Sequence, residues 1–267
     1  KVHSGKYGKS TTWYYNTDTK TVTIDCKGKL EDMDDHWGLS PGWRANSWNM
    51  KAKRVVFRKG ITYIGAGAFM NFQKIEEVVL PEGLVSIGYA AFVDTLSLKK
   101  IRFPSSLKRI GRDAFDGSGI EAVSLKNVKK VRMEAFSGAK LKSLTIPAGC
   151  EIGSYAFISC EDLKTVTIEE GVETIRNSMF SLCGFESVTI PSSVTTIEKH
   201  AFFSFSPEQG KLKQVTIRSK KIKKWGEEIF GNARKDLVIK VPKSKRKEYT
   251  KALWDGGLPK YVKIVAW

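Results

Sequence analysis

Residues 84–103 read LVSIGYAAFVDTLSLKKIRF, and most of the remaining chain repeats this pattern. The centre of the pattern is a small residue followed by Phe, here Ala91 and Phe92. The repeat phenylalanines are Phe69, Phe92, Phe115, Phe136, Phe157, Phe180, Phe202 and, more loosely, Phe230. Their spacings are 23, 23, 21, 21, 23, 22 and 28 residues. A period in the low twenties, held over these copies, indicates a solenoid whose coils each bury one face on their neighbours.

Each copy between Val55 and Val241 divides into three pieces. The first is a short strand of the form L-x-x-V-x-I, which often ends at a proline because proline removes a hydrogen-bond donor. The second is a shorter strand that ends in Ile or Ile-Gly. The third is one helical turn that holds Ala-Phe and is too short to be stable without packing. We therefore expect the phenylalanines to stack as an aromatic ladder in the core.

The two ends of the chain do not carry the repeat. Residues 5–30 alternate apolar and polar side chains on both sides of Asn16-Thr17-Asp18, which predicts a β-hairpin or small meander, and three tryptophans follow at positions 37, 43 and 48. Because a solenoid must cover its first coil, we interpret residues 1–57 as an aromatic cap, residues 58–241 as about eight coils and residues 242–267 as a second cap. Tyr249, Ala252 and Leu253 predict a capping helix, and YVKIVAW predicts a last strand. Residues 204–211, SFSPEQGK, lengthen one copy and predict a loop.

The net charge of +17 is unevenly distributed along the sequence. Residues 211–267 carry 17 basic and 5 acidic side chains, whereas residues 151–210 carry 3 basic and 9 acidic ones. Such a field attracts anionic polymers, although the lysines could equally serve only solubility. No motif of a nucleic-acid-binding module is present, so nucleic acid is a weaker partner than a sulfated glycan. No apolar run is long enough to span a bilayer, and we expect no membrane span.

The four cysteines, Cys26, Cys150, Cys160 and Cys183, have no zinc-binding spacing. Cys160 and Cys183 each lie three residues after a repeat Phe, so we expect them one coil apart. A disulfide is reachable at that separation. However, equivalent side chains of a solenoid point in parallel into the core, which favours buried free thiols.

The sequence contains no recognisable catalytic motif. The three histidines are far apart along the chain, and nucleophile-elbow, zinc-protease, phosphate-loop and dinucleotide patterns are missing. The acidic segment EDMDDH (31–36) could hold a hard cation such as Ca²⁺. It lacks the alternating pattern of a calcium loop, and we interpret it as a solvated turn. We therefore expect no enzyme activity, no cofactor and no metal site.

The exposed side of the strands is the candidate ligand-binding surface. If Val and Ile of L-x-x-V-x-I point inward, alternation directs their neighbours outward. The candidate ligand-binding residues are Lys100, Arg102, Ser124, Thr145, Thr167, Thr189 and Thr216. Regular hydroxyl groups suit a sugar polymer or an extended peptide. The alternative is that threonine is present only because it is a soluble strand former.

Three segments show a more specific pattern: LPEGLVSIGYAAF (80–92), FPSSLKRIGRDAF (103–115) and IPSSVTTIEKHAF (190–202). Over about residues 58–241 this pattern resembles the BspA-like leucine-rich repeat family. The resemblance implies an α/β fold, a right-handed leucine-rich-repeat solenoid of short parallel strands and short helical turns. In this chain we expect a small β-rich N-terminal cap on it.

The same resemblance implies a non-catalytic binding or adhesion module, secreted or displayed on the bacterial cell surface. We expect a monomer, with a signal peptide removed before Lys1. The partner would be a host or bacterial surface protein or a polysaccharide, an anionic glycan included. The alternative is a structural spacer of a surface protein that has no specific ligand.

Overall fold

Short strands in successive coils form most of the structure, a computed structural model that describes residues 1–33 and 51–267. The chain divides into residues 1–139, here called unit 1, and residues 140–267, called unit 2. Each unit is a stack of coils with parallel strands and little helix. The predicted boundaries at residues 57 and 241 stay predictions, and Asp34, Asp35, His36 and the tryptophans at 37, 43 and 48 lie outside the described residues.

Unit 1 contains two sheets. Its strands are β1 (Val2–Tyr7), β2 (Thr11–Asn16), β3 (Thr21–Cys26), β4 (Gly28–Lys29), β5 (Arg54–Phe57), β6 (Ile61–Ile64), β7 (Glu77–Val79), β8 (Ser86–Ile87), β9 (Lys100–Ile101), β10 (Arg109–Ile110) and β11 (Lys130–Val131). The first sheet has the order β1-β2-β3-β5-β7-β9, and the second runs β4-β6-β8-β10-β11. All pairs are parallel except β1 with β2 and β2 with β3.

The predicted N-terminal hairpin or small meander is confirmed, since β1, β2 and β3 are consecutive antiparallel strands, with the hairpin at β2 and β3. Trp13 pairs with Ile24 and Tyr15 pairs with Val22, and these side chains are buried. The turn forms because the Asn16 side-chain oxygen accepts hydrogen bonds from the backbone N–H groups of Asp18, at 2.9 Å, and Thr19, at 3.1 Å. β3 continues the hairpin into the parallel part of the sheet by pairing with β5.

Unit 2 contains three parallel sheets, β12-β14, β15-β17-β19 and β16-β18-β20-β21. Its strands are β12 (Ser143–Ile146), β13 (Glu151–Ile152), β14 (Thr165–Ile168), β15 (Thr174–Ile175), β16 (Ser187–Ile190), β17 (Thr196–Ile197), β18 (Gln214–Ile217), β19 (Lys224–Trp225), β20 (Val238–Val241) and β21 (Lys263–Ala266). A 3-10 helix (Lys243–Lys245) leads into α1 (Arg246–Asp255), which precedes β21. The predicted terminal helix and last strand are therefore confirmed, and so is the loop at residues 204–211.

The aromatic ladder is confirmed within both units. In unit 1 the ring centroids are 5.8, 5.3 and 5.3 Å apart along the series Phe69, Phe92, Phe115 and Phe136. In unit 2 they are 6.0, 5.7 and 5.4 Å apart along the series Phe157, Phe180, Phe202 and Phe230. Neighbouring rings are within 17° of parallel, so each ring covers the face of the next.

The Ala-Phe segments are turns, where the sequence predicts helical turns. The residue two positions before each repeat Phe has a positive φ, for example 50° at Ala90 and 54° at Asp113. This left-handed step prevents an α-helical turn. The N–H groups donate to the next coil, as from Phe92 to the Ala114 oxygen at 2.8 Å. Bonding between coils therefore replaces the bonding that a helix would make within one coil.

Cys160 and Cys183 are not joined by a disulfide bond, as expected. Cys160 is buried, and the Cys183 thiol donates to the backbone oxygen of Phe157 at 3.2 Å. Burial raises the pKa of the Cys183 thiol well above its ordinary value. Cys160 therefore serves as a small apolar side chain of the core, whereas the Cys183 residue is half-buried.

Candidate ligand-binding face

The threonines of unit 2 lie in register on the exposed side of their strands. Thr145 on β12 is directly opposite Thr167 on β14, and Thr189 on β16 is directly opposite Thr216 on β18. Thr145, Thr167 and Thr189 are exposed and Thr216 is half-buried. The side chains between them, such as Leu144 and Val188, point into the core. The alternation of inward and outward side chains therefore produces pairs of hydroxyl groups one strand apart, about 4.8 Å.

The hydroxyl groups of these four threonines have no hydrogen-bonding partner among residues 1–33 and 51–267. The Pro-Ser-Ser turns use their hydroxyl groups differently. Ser192 donates to a Glu170 carboxylate oxygen at 2.8 Å, and Ser193 donates to the Val172 backbone oxygen at 2.7 Å. Backbone and side-chain hydrogen bonds from Ser192 lower the pKa of Glu170. The turn hydroxyls therefore hold coils together, whereas the four threonine hydroxyls make no such contact within the described residues.

The predicted residues of unit 1 form a different surface. Lys100 is on β9, Arg102 follows that strand, and both are exposed. Lys100 is opposite Glu77, which forms an ion pair of 2.8 Å with Arg54 on the next strand. Ser124 is exposed but lies outside the strands of the described residues. The structure thus gathers the four threonines on strands of unit 2 and does not place Lys100, Arg102 or Ser124 on those strands.

The acidic segment that begins at Glu31 is partly used inside the protein. A carboxylate oxygen of Asp32 accepts hydrogen bonds from the Tyr63 hydroxyl at 2.6 Å and from the Ala66 N–H at 2.7 Å. Burial, together with Asp32, raises the pKa of Tyr63. Within residues 1–33 and 51–267, no group of three or more His, Cys, Asp and Glu side chains could hold a metal ion. Asp32 therefore holds β6 and the turn that follows it in place.

The basic C-terminal region forms a surface pocket that sequence reasoning did not locate. It is lined by Lys243, Arg246, Lys247, Thr250, Lys251, Trp254, Asp255 and Lys260. The Lys260 ammonium group lies 3.8 Å from the centre of the Trp254 ring, a cation–π contact. Lys251 is paired with Asp255. The remaining cations make this pocket an attractive surface for anions at low ionic strength.

Sequence reasoning also missed a pair of carboxyl groups in unit 1. Asp113 and Glu134 occupy equivalent left-handed positions in neighbouring coils, with φ of 54° and 57°. Burial raises the pKa of Asp113 to about 6, and the hydrogen bond and charge of Glu134 add to this effect. Arg112 opposes it, because its guanidinium group lies 3.4 Å from the Asp113 carboxylate and 3.3 Å from that of Glu134. Only the stacking of the coils brings these two carboxyl groups together.

We expect the Asp113→Asn variant to melt at a higher temperature than the wild type at pH 7. Asp113 binds its proton more tightly in the folded state than in the unfolded state. The free energy of unfolding therefore falls as the pH rises from about 4 through 6, where Asp113 loses this proton. Asparagine removes the charge and accepts a positive φ. Between pH 4 and pH 8 the melting temperature of the variant should change less with pH than that of the wild type. The control is Asp94→Asn at the same φ of 54°; an equal gain there would contradict the role of the Asp113 charge.

Comparisons with known proteins identify the repeat. The model of the BspA type leucine-rich repeat region matches residues 45–160 and 129–254, with six copies. No curated protein sequence matches the chain significantly. No helix in the described parts of the chain is long and apolar enough to cross a membrane.

The solved structures that are similar to the chain include the following three. A leucine-rich repeat protein from Eubacterium ventriosum has a TM-score of 0.64 at 17% identity, over 100% of this chain and 68% of that one. A leucine-rich repeat protein from Bacteroides ovatus has a TM-score of 0.48 at 20% identity, over 98% and 78% of the two chains. The pneumococcal vaccine antigen PcpA has a TM-score of 0.48 at 18% identity, over 90% and 71%. The first similarity shows a shared fold, and the two lower scores carry no further argument.

Proposed function

Because the chain belongs to the BspA-type leucine-rich repeat family, we propose that it is a non-catalytic binding or adhesion module of a secreted or surface-displayed bacterial protein. It recognises a surface protein or a polysaccharide through the exposed strand face of unit 2. In this proposal the coils wind in a right-handed solenoid, capped by residues 1–57 and 242–267. The module acts as a monomer.

The observation that carries the proposal is the contrast between the two sets of hydroxyl groups. Those of Thr145, Thr167, Thr189 and Thr216 are unpartnered within the described part of the chain and lie in register, whereas those of the Pro-Ser-Ser turns are used internally. Two in-register pairs of fixed donors and acceptors, one pair on each of two parallel sheets, suit an extended ligand, because little ordering of the protein is needed on binding. Exposed strands would also be soluble with charged side chains, so threonine is not required there for solubility alone.

The first test is binding of the protein to an array of matrix proteins, sulfated glycans and bacterial polysaccharides at low and high salt. We expect one ligand class to bind at both salt concentrations, because hydrogen bonding to the strand face is less sensitive to salt than charge attraction. Binding to every polyanion that disappears at high salt would contradict the strand face and indicate the basic surface alone. A protein that binds none of the array supports a structural spacer, the alternative function.

The second test compares the double variant Thr145→Val, Thr167→Val with the control Thr174→Val, Thr196→Val. Valine retains strand propensity and removes the hydroxyl group. Each lost hydrogen bond is worth about 1 kcal/mol, so we expect the first variant to bind the selected ligand at least about tenfold more weakly, with unchanged melting. The control changes another pair that is directly opposite, on β15 and β17. Equal affinity of the two variants would contradict the proposed face.

A further inference from the structure

The coil between Phe202 and Phe230 leaves an apolar cavity of about 450 Å³ in unit 2. This coil is 28 residues long, whereas the others are 21–23, because it contains the loop at 204–211. The ladder rings of Phe180, Phe202 and Phe230 line the cavity, together with Leu212 and Ala233. The added length therefore separates side chains that the shorter coils bury against one another.

Comparison with the other coils shows which contacts are lost. The side chain three residues after the repeat Phe is buried in most copies, as at Thr95 and Cys160, but Phe205 is 68% exposed. Leu212, two residues before its strand, is half-buried, although its counterparts Leu141 and Leu163 in other coils are buried. Large exposed apolar side chains beside a cavity are a common feature of binding sites, since burial of their surface favours association.

Hydrogen bonds hold the wall of the cavity in place. The Ser204 hydroxyl donates to the Asn232 backbone oxygen at 2.7 Å, and the Asn232 amide donates to the Ser204 backbone oxygen at 3.1 Å. At the other end of the loop, Arg234 donates to the Gly210 backbone oxygen at 3.3 Å. The loop is therefore fixed away from the ladder, and a ligand would enter a site that is already formed.

The chemistry of the walls defines the ligand. Six phenylalanines contribute to the lining, and aromatic rings pack best against other rings in offset or edge-on arrangements. The Arg234 guanidinium group of the lining is paired with Asp236 at 2.7 Å. The other two charged lining residues, Glu161 and Lys211, have opposite signs, so the charges of the lining are balanced. A volume of about 450 Å³ lies within the usual range of small-molecule sites, roughly 300–1,000 Å³.

We propose that this cavity binds a neutral aromatic small molecule. The site is separate in its residues from the strand-face threonines, so it does not depend on the proposed function. The bound ring would lie against the ladder rings of Phe202 and Phe230 and would be covered by Phe205.

The test uses N-phenyl-1-naphthylamine, a neutral aromatic probe whose fluorescence rises in apolar surroundings, with the full chain. We expect saturable binding at one site per molecule and a higher melting temperature in the presence of the probe, because a ligand of the folded state stabilises it. The variant Ala233→Phe fills the cavity and should lower the affinity at least about tenfold. Leu212→Glu places a charge at the mouth, where the half-buried side chain tolerates substitution, and should have the same effect.

The control is Trp254→Ala, which removes a different exposed aromatic side chain of unit 2. It should bind the probe as the wild type does. The proposal is overturned if the folded wild type shows no saturable binding, or if Leu212→Glu binds the probe with unchanged affinity while melting cooperatively. A loss of binding in Trp254→Ala equal to that in Leu212→Glu would overturn it as well.

Discussion

The Phe115→Ala variant is expected to lose about 3–5 kcal/mol of its free energy of unfolding. Phe115 is fully buried, and its ring is 5.3 Å from the rings of both Phe92 and Phe136. Alanine would remove the central ring of three and leave a cavity between two coils. Backbone hydrogen bonds keep these coils at a fixed spacing, so they cannot move together to fill the cavity. Urea unfolding followed by circular dichroism measures the loss.

The control for Phe115→Ala is Tyr89→Ala, because Tyr89 is 49% exposed in the same unit. The free energy of unfolding of the Tyr89→Ala variant should differ from that of the wild type by no more than about 0.5 kcal/mol. A Phe115→Ala variant that loses no more than the Tyr89→Ala control would show that the aromatic ladder does not stabilise the stack.

The second large effect is expected at Tyr249, which anchors α1 to the last coils of unit 2. Its side chain is fully buried, and its ring centroid is 4.9 Å from that of Trp225. Its hydroxyl group donates to the Ser219 backbone oxygen and accepts from the Ile222 N–H, both at 3.1 Å. Burial raises the pKa of the hydroxyl group, which therefore keeps its proton and its role as a donor.

We expect the free energy of unfolding to fall by about 3–5 kcal/mol in Tyr249→Ala and by about 1–3 kcal/mol in Tyr249→Phe. Phenylalanine keeps the packing but leaves the Ile222 N–H buried without its acceptor. Trp254→Ala on the same helix, where the side chain is 41% exposed, should change stability by about 0.5 kcal/mol or less. Equal stability of Tyr249→Phe and the wild type would mean that water satisfies the Ile222 N–H.

The core could be predicted from the repeat, because the copies share the same local pattern of apolar residues. The spacing of Ala-Phe placed all the ladder rings, the Pro-bounded strands placed the sheets, and the alternation around Trp13 and Ile24 placed the hairpin. The prediction of helical turns was wrong, because the left-handed conformation of the residue two positions before each Phe depends on backbone hydrogen bonds to the next coil. Such bonds are absent from any single copy of the sequence.

The candidate site was predictable only in part. Strand alternation placed Thr145 and Thr167 on one exposed face, since it follows from backbone geometry alone. It did not indicate that Ser192 and Ser193 use their hydroxyl groups between coils, because those partners are 21–22 residues away. Ser124 was placed on a strand face by the same alternation, but its segment carries no strand in the described structure.

By itself, then, the sequence determined the repeat, the buried ladder, the terminal helix and last strand, and the family, all of which follow from local periodicity. The tertiary structure alone decided which polar groups are free, how Asp113 meets Glu134, and how the added length at 204–211 opens a cavity. The physical reason is that these features depend on contacts between coils. Residues a full period apart become neighbours there, and a change in the length of one coil alters the packing of the next.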